Sequence, residues 1–280
     1  MRNSVMKQWF ALVGMMRLGN ALMAAVGILV GYLYSHDKIV ISDLLFLMGS
    51  GIFALGFGNV VNDIFDQETD RISHPERALV SGVVTVHQVQ FFAASIALLA
   101  LLCGGFLSPL HGVAVLLPLA LLWLYAKQLK GIPLVGNSVV ALLVAYTLLF
   151  GALGTSQMVP LILPAMVAAL GNFVREVVKD CADKEGDEAA GLRTSASLSA
   201  LVLRLLVTTS GLLYLLLALL PYTEGSFGFI YLMVVFLSVY PLHVVWMWLW
   251  RHKRYKHTAL VLKLQMIAGL IALLADHFLG

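Results

Sequence analysis

The chain reads as a succession of apolar runs separated by short polar breaks, and an α-helix needs roughly 20 apolar residues to cross a hydrocarbon core of about 30 Å. Nine candidate spans follow: Leu18 to Tyr34, Leu44 to Phe65, Val89 to Leu107, Val113 to Tyr125, Val135 to Thr155, Pro160 to Val178, Leu198 to Leu220, Phe227 to Trp250 and Ala259 to Leu279. Several are joined by only a few residues, as at Ser108 to Gly112 and Ser156 to Val159, so consecutive helices are expected to be antiparallel neighbours. The pattern predicts an all-α, polytopic membrane protein: one domain over residues 1–280, its nine helices forming one bundle around a central cavity. The apolar run after Arg2 and Lys7 continues to spanning length and is expected to be retained as the first helix rather than removed as a signal peptide.

The basic residues test this count independently. With the amino terminus and alternate loops assigned to one side, 17 of the 18 lysines and arginines fall there and only Lys38 lies opposite. The positive-inside rule makes that side cytoplasmic and puts the carboxyl terminus outside, the membrane being the plasma or inner membrane if the cell is prokaryotic. Trp246, Trp248 and Trp250 beside Arg251 are expected to anchor an interface, and His243 to be interfacial or solvated.

Composition excludes the main alternatives. With 60% hydrophobic residues, 12% charged and a mean hydropathy of +0.92, the chain is neither an ordinary soluble enzyme nor disordered. The formal charge of +3 comes from bases beside the spans, so nucleic acid is not an expected partner, and no protein partner is predicted. Cys103 and Cys181 suggest neither a disulfide framework nor a zinc site.

The carboxylates are the informative minority. Of fifteen, five fall between Asp63 and Glu76 and six between Glu176 and Glu188, each window at the cytoplasmic exit of a span. Asp63, Asp66 and Asp70 are spaced three and four apart, and Glu176, Asp180, Asp183 and Asp187 four, three and four, so each set shares one face if its helix continues past the membrane. Aligned like charges repel, and a hard divalent cation is a natural compensator: magnesium takes oxygen ligands and binds through one or two carboxylates with substrate phosphate. One such cluster could be solvated loop charge; two at matched spacing point to a ligand. Arg71, Arg77, Lys127, Lys130, Arg175 and Lys179 accompany them and suit phosphate oxygens. The acids and bases together suggest a diphosphate clamp opening into an apolar cavity.

The string Asn62-Asp63-Ile64-Phe65-Asp66-Gln67-Glu68-Thr69-Asp70 resembles the NDxxDxxxD motif of the UbiA superfamily of intramembrane prenyltransferases, and Arg175 to Asp187 resembles its second acidic motif. The likeness extends over nearly the whole chain, including the Lys130-Gly131-Ile132-Pro133 entry into the fifth span, and is greatest to the digeranylgeranylglyceryl phosphate synthase branch. Two positions depart from it: Ala78 stands where proline usually follows the arginine, and Arg193-Thr194-Ser195-Ala196 replaces a Thr-Leu-Pro.

The resemblance implies Mg2+-dependent transfer of an isoprenyl group from an allylic prenyl diphosphate donor to a lipophilic acceptor in the bilayer, here a geranylgeranylglyceryl phosphate-like ether-lipid precursor. By position, Asn62, Asp66, Asp70, Asp183 and Asp187 would bind the magnesium-diphosphate, with Asp63 and Asp180 in or behind the same shell. Of these, Asp66, Asp70, Asp183 and Asp187 are the implied catalytic carboxylates. Asn62, Arg77, Lys130, Arg175 and Lys179 would face the phosphates, and Arg17, Asn20 and Asn137 the cavity. The Tyr146 ring would either pack the core or face an allylic cation. Rival readings are a prenyltransferase with an aromatic acceptor, as in quinone, chlorophyll or haem synthesis, and a divalent-cation transporter.

Overall fold

The computed structural model describes residues 2–189 and 191–280; the side chains of residues 2–4 and 73, including the Arg2 counted above, lie outside the described set. All regular structure among the described residues is helical: α1 (Arg2–Met15), α2 (Leu18–Ser35), α3 (Ile41–Phe65), α4 (Gln67–Ser73), α5 (Val86–Leu107), α6 (Pro109–Lys127), α7 (Val135–Gly151), α8 (Ile162–Ala189), α9 (Ala200–Leu217), α10 (Leu220–Thr223), α11 (Phe229–Val234), α12 (Tyr240–Arg251) and α13 (Tyr255–Leu279). Among the described residues eight helical stretches are long and apolar enough to cross a membrane, and the 17-residue α7 is a further apolar helix. The nine spans expected from hydropathy correspond to these.

Local chemistry sets the boundaries. Thr85 and Gln88 form a capping box at the start of α5, where Gln88 Oε1 accepts from the Thr85 backbone and Thr85 Oγ1 from the Gln88 backbone. Ser108 caps α6, and Pro109 occupies its first turn, where no N–H is needed. Hydropathy does not anticipate α1 as a separate helix; Arg17, in the left-handed region at φ 51°, turns the chain between it and α2. α3 pauses at Asp66 and the chain resumes as α4, while Asp66 N donates to Asn62 O and Asp70 N to Asp66 O across the pause. The 28-residue α8 is about 42 Å long at 1.5 Å per residue, so its last turns outrun a hydrocarbon core of about 30 Å.

The chain divides into two compact units. The first comprises Met1–Ile28, Ile39–Lys130 and Gly186–Leu192. Within it α3, α5 and α6 pack on one another around Val60, Val89, Phe92 and Ile96, with Leu12 and Met15 of α1 joining that core. Gly58 lets α6 close on α3, since a methyl there would meet the Leu122 side chain.

The second unit comprises Leu29–Lys38, Gly131–Glu185 and Arg193–Gly280, with a core around Leu148, Leu161, Tyr214, Tyr231 and Ala272. At Gly31 a Cβ would run into the Leu148 carbonyl, so only glycine permits that approach. Between α11 and α12 one π-helical turn, Val235–Val239, leaves the Val239 carbonyl to be satisfied by Gln265 Nε2 at 3.0 Å, while Gln265 Oε1 accepts from Trp246 Nε1 at 2.9 Å. Two expectations are corrected here: His243, Trp246 and Trp250 are buried, because their spacing of three and four turns them to one face, and of the three α12 tryptophans Trp248 alone is exposed. The outward faces carry Leu, Phe and Val, as lipid contact requires.

Candidate active site

The first acidic window sits where α3 passes into α4. The near-continuous helix sets Asp63, Asp66 and Asp70 on one face, and all three are buried. Their repulsion is relieved by cations from distant parts of the same unit. Arg17 Nη2 donates to Asp63 Oδ1 at 2.6 Å, Lys130 Nζ to Asp66 Oδ2 at 2.5 Å, and Arg77 Nη1 to Asp70 Oδ2 at 2.5 Å and Asp63 Oδ1 at 3.4 Å. Asn62 Nδ2 also donates to Asp66 Oδ2 at 2.5 Å, and Asn62 Oδ1 is buried with no hydrogen-bond partner. Beside them Arg17, Asp63 and Arg77, with Ala11, Gly14 and Met15 of α1, line a cavity of about 200 Å³. Asn20 is exposed and does not line it. Lys127 lies over the Trp123 ring at 4.5 Å, and Arg71 pairs with Glu68 in an exposed bridge.

The second window occupies the last turns of α8. Glu176 is buried, with Arg175 Nη1 at 2.5 Å and Lys179 Nζ at 3.9 Å. One turn on, Asp180 accepts at Oδ2 from Asn137 Nδ2 at 3.0 Å and from the Ser195 backbone N–H at 3.1 Å. Asp183 is exposed and Asp187 half-buried. The half-buried Tyr146 ring stacks on Phe150 at 5.8 Å. Sequence reasoning missed Ser195, which is fully buried and touches both Asn137 and the residue entering α7; it also left Glu176 without a role. The shared face with Asp180 was a legible signal for Glu176. For Ser195 no local spacing gives one.

Among the described residues no three His, Cys, Asp or Glu side chains form a group that could by itself hold a metal ion. The physical reason is visible at the first window, where each carboxylate turns to a base. The donors nonetheless suit a hard cation: carboxylate oxygens and an amide oxygen, Asn62 Oδ1, buried and lacking a partner. Arg77 and Lys130 are the groups that carboxylate–metal contact would leave for an anion.

The model of the UbiA prenyltransferase family matches residues 21–267. The chain belongs to that family. This UbiA enzyme is thus an integral membrane prenyltransferase. It is 33% identical over 266 residues to the digeranylgeranylglyceryl phosphate synthase of Methanopyrus kandleri, covering 92% of this chain and 95% of that one. A solved structure described as a digeranylgeranylglyceryl phosphate synthase in membranes superposes with a TM-score of 0.80 at 27% identity, over 96% of this chain and 98% of the other. A UbiA homolog from Archaeoglobus fulgidus, bound to DMAPP and Mg2+, shares the fold at a TM-score of 0.64 and 13% identity, over 94% of this chain and 98% of its own.

Proposed function

We propose that this UbiA prenyltransferase moves an isoprenyl group from an allylic prenyl diphosphate to the free hydroxyl of a glycerol-phosphate ether-lipid precursor, with Mg2+. The observation that carries this reading is the pairing of three buried carboxylates with Arg17, Arg77 and Lys130 at the end of α3, in a chain matched nearly end to end by a digeranylgeranylglyceryl phosphate synthase. The family match runs through both compact units, which supports one catalytic domain over residues 1–280.

In this reading Asn62, Asp63, Asp66, Asp70, Asp180, Asp183 and Asp187 would hold the metal, with Asp66, Asp70, Asp183 and Asp187 as its essential ligands. When bound, Mg2+ supplies positive charge that offsets the diphosphate's own. Arg77 and Lys130, with Arg175 and Lys179, would take the phosphate oxygens. Their preorganised donors favour the charge that grows on the leaving group as the C1–O bond breaks, more than they favour the bound donor itself. The surrounding apolar helices keep water from the allylic carbon. The acceptor oxygen then forms the new ether bond, its proton is lost, and diphosphate departs. Segregation of 17 of 18 bases supports an amino terminus and acidic motifs on the cytoplasmic side, with the carboxyl terminus outside.

The test is mass spectrometry of the lipid product when purified protein receives geranylgeranyl diphosphate and a pool of geranylgeranylglyceryl phosphate and aromatic acceptors. A diether phosphate is expected. An alkylated aromatic ring as the sole product would replace this acceptor, and no transfer to any acceptor would refute the reaction.

A further inference from the structure

Ser195 sits at the centre of a buried polar chain that neither the motif nor its spacing reveals. Its Oγ accepts from the Leu134 backbone N–H at 2.9 Å and donates to Asn137 Oδ1 at 2.5 Å; Asn137 Nδ2 then donates to Asp180 Oδ2 at 3.0 Å, and the Ser195 N–H donates to the same oxygen at 3.1 Å. Ser195 is 0% exposed and Asn137 7%. Leu134 is held in the left-handed region at φ 64°, a conformation that costs a side-chain-bearing residue about 1 to 2 kcal/mol, at the start of α7, which has no side-chain cap of its own.

The direction of this chain is set by elementary counting. A serine hydroxyl has one proton, and with Leu134 N–H filling an acceptor position that proton goes to Asn137. The asparagine must therefore present oxygen to Ser195 and its NH2 to Asp180. Remove the hydroxyl and Asn137 Oδ1 loses its donor, leaving the amide held on one side only, by its bond to Asp180. Both of these donors to Asp180, the Asn137 amide and the Ser195 backbone N–H, are neutral groups.

We propose that Ser195 is a positioning residue for the second acidic motif: acting through Asn137 and its own N–H, it fixes the Asp180 carboxylate in the orientation that a divalent cation and diphosphate require. This role rests on the metal-diphosphate reading above. Groups behind a metal ligand commonly change metal affinity about 10- to 100-fold when removed.

The full chain in detergent, with inorganic pyrophosphate present, is titrated with Mn2+ as a paramagnetic substitute for Mg2+ and followed by electron paramagnetic resonance. Ser195→Ala is expected to weaken Mn2+ binding about 10-fold and to raise the Mg2+ concentration for half-maximal transfer in step, while kcat at saturating metal stays near the parent's. Asn137→Ala is expected to weaken Mn2+ binding to a similar extent, and the double variant to bind it no worse than either single one, as for two links of one chain. Ser195→Thr, which keeps the hydroxyl, should recover most of the affinity. Parent-like Mn2+ affinity in Ser195→Ala overturns the positioning role while leaving the metal reading intact; so do two single effects that simply add. If Ser195→Ala does not fold, parent-like affinity in Asn137→Ala overturns it instead. A parent protein that binds no Mn2+ with pyrophosphate removes the metal reading and this role together.

Discussion

Asp63, Asp66 and Asp70 at the end of α3 are each met by a cation from elsewhere in the chain, whereas Asp180 on α8 is met by an amide and a backbone N–H. In sequence the two segments look alike, with carboxylates every three or four residues. In space they solve the same problem differently. The first is a nearly charge-balanced cluster in which acid and base hold one another, so a ligand there has to exchange partners. The second pairs Glu176 with Arg175 and Lys179 beside it in sequence, orients Asp180 with an amide and a backbone N–H, and leaves Asp183 exposed. Spacing on a helix face therefore says which groups stand together and leaves open what neutralises them.

The largest effect that would sharpen this comparison is loss of a proposed ligand from either segment. Asp66→Ala and Asp183→Ala are each expected to lower the rate of prenyl transfer by at least about 100-fold, the scale of losing a preorganised electrostatic group. They should differ in stability: removing exposed Asp183 leaves the melting temperature in detergent almost unchanged, while removing Asp66 leaves Lys130 without its carboxylate and lowers it. Equal melting behaviour would erase the contrast.

Next in size is Lys130→Ala, which leaves buried Asp66 with the Asn62 amide but without its cation and is expected to cost up to about 3 kcal/mol by thermal unfolding, the lower end of breaking a buried pair. Diphosphate affinity should fall with it, read as a higher KM for the prenyl donor. A variant as stable as the parent would mean the charge balance at the first segment is incidental. Smallest is Arg71→Ala, whose bridge to Glu68 is solvated on both sides; a change within about 0.5 kcal/mol is expected, with unaltered turnover.

Much of the fold is legible from local pattern. The start of α2 at Leu18 and the end of α3 at Phe65 coincide with the hydropathy breaks, because apolar length is what a bilayer selects. Features set by non-local partners are not legible. Nothing near Asp63 announces Arg17, 46 residues away, and nothing near Asp66 announces Lys130, 64 away. Ser195 lies in a stretch noticeable only as a departure from the family pattern, and its role depends on a loop 61 residues earlier. The tryptophans misled for a related reason: Trp246, Trp248 and Trp250 look alike beside a basic loop, but helical phase sends two inward and one outward.

The most direct measurement is transfer of a labelled geranylgeranyl group by the parent, Asp66→Ala and Asp183→Ala proteins after stripping with EDTA and stepwise return of Mg2+. The parent should fall silent with EDTA and recover with Mg2+, and neither variant should recover at any concentration. Transfer by the parent that persists in EDTA, or near-parent turnover in either variant, would contradict the account.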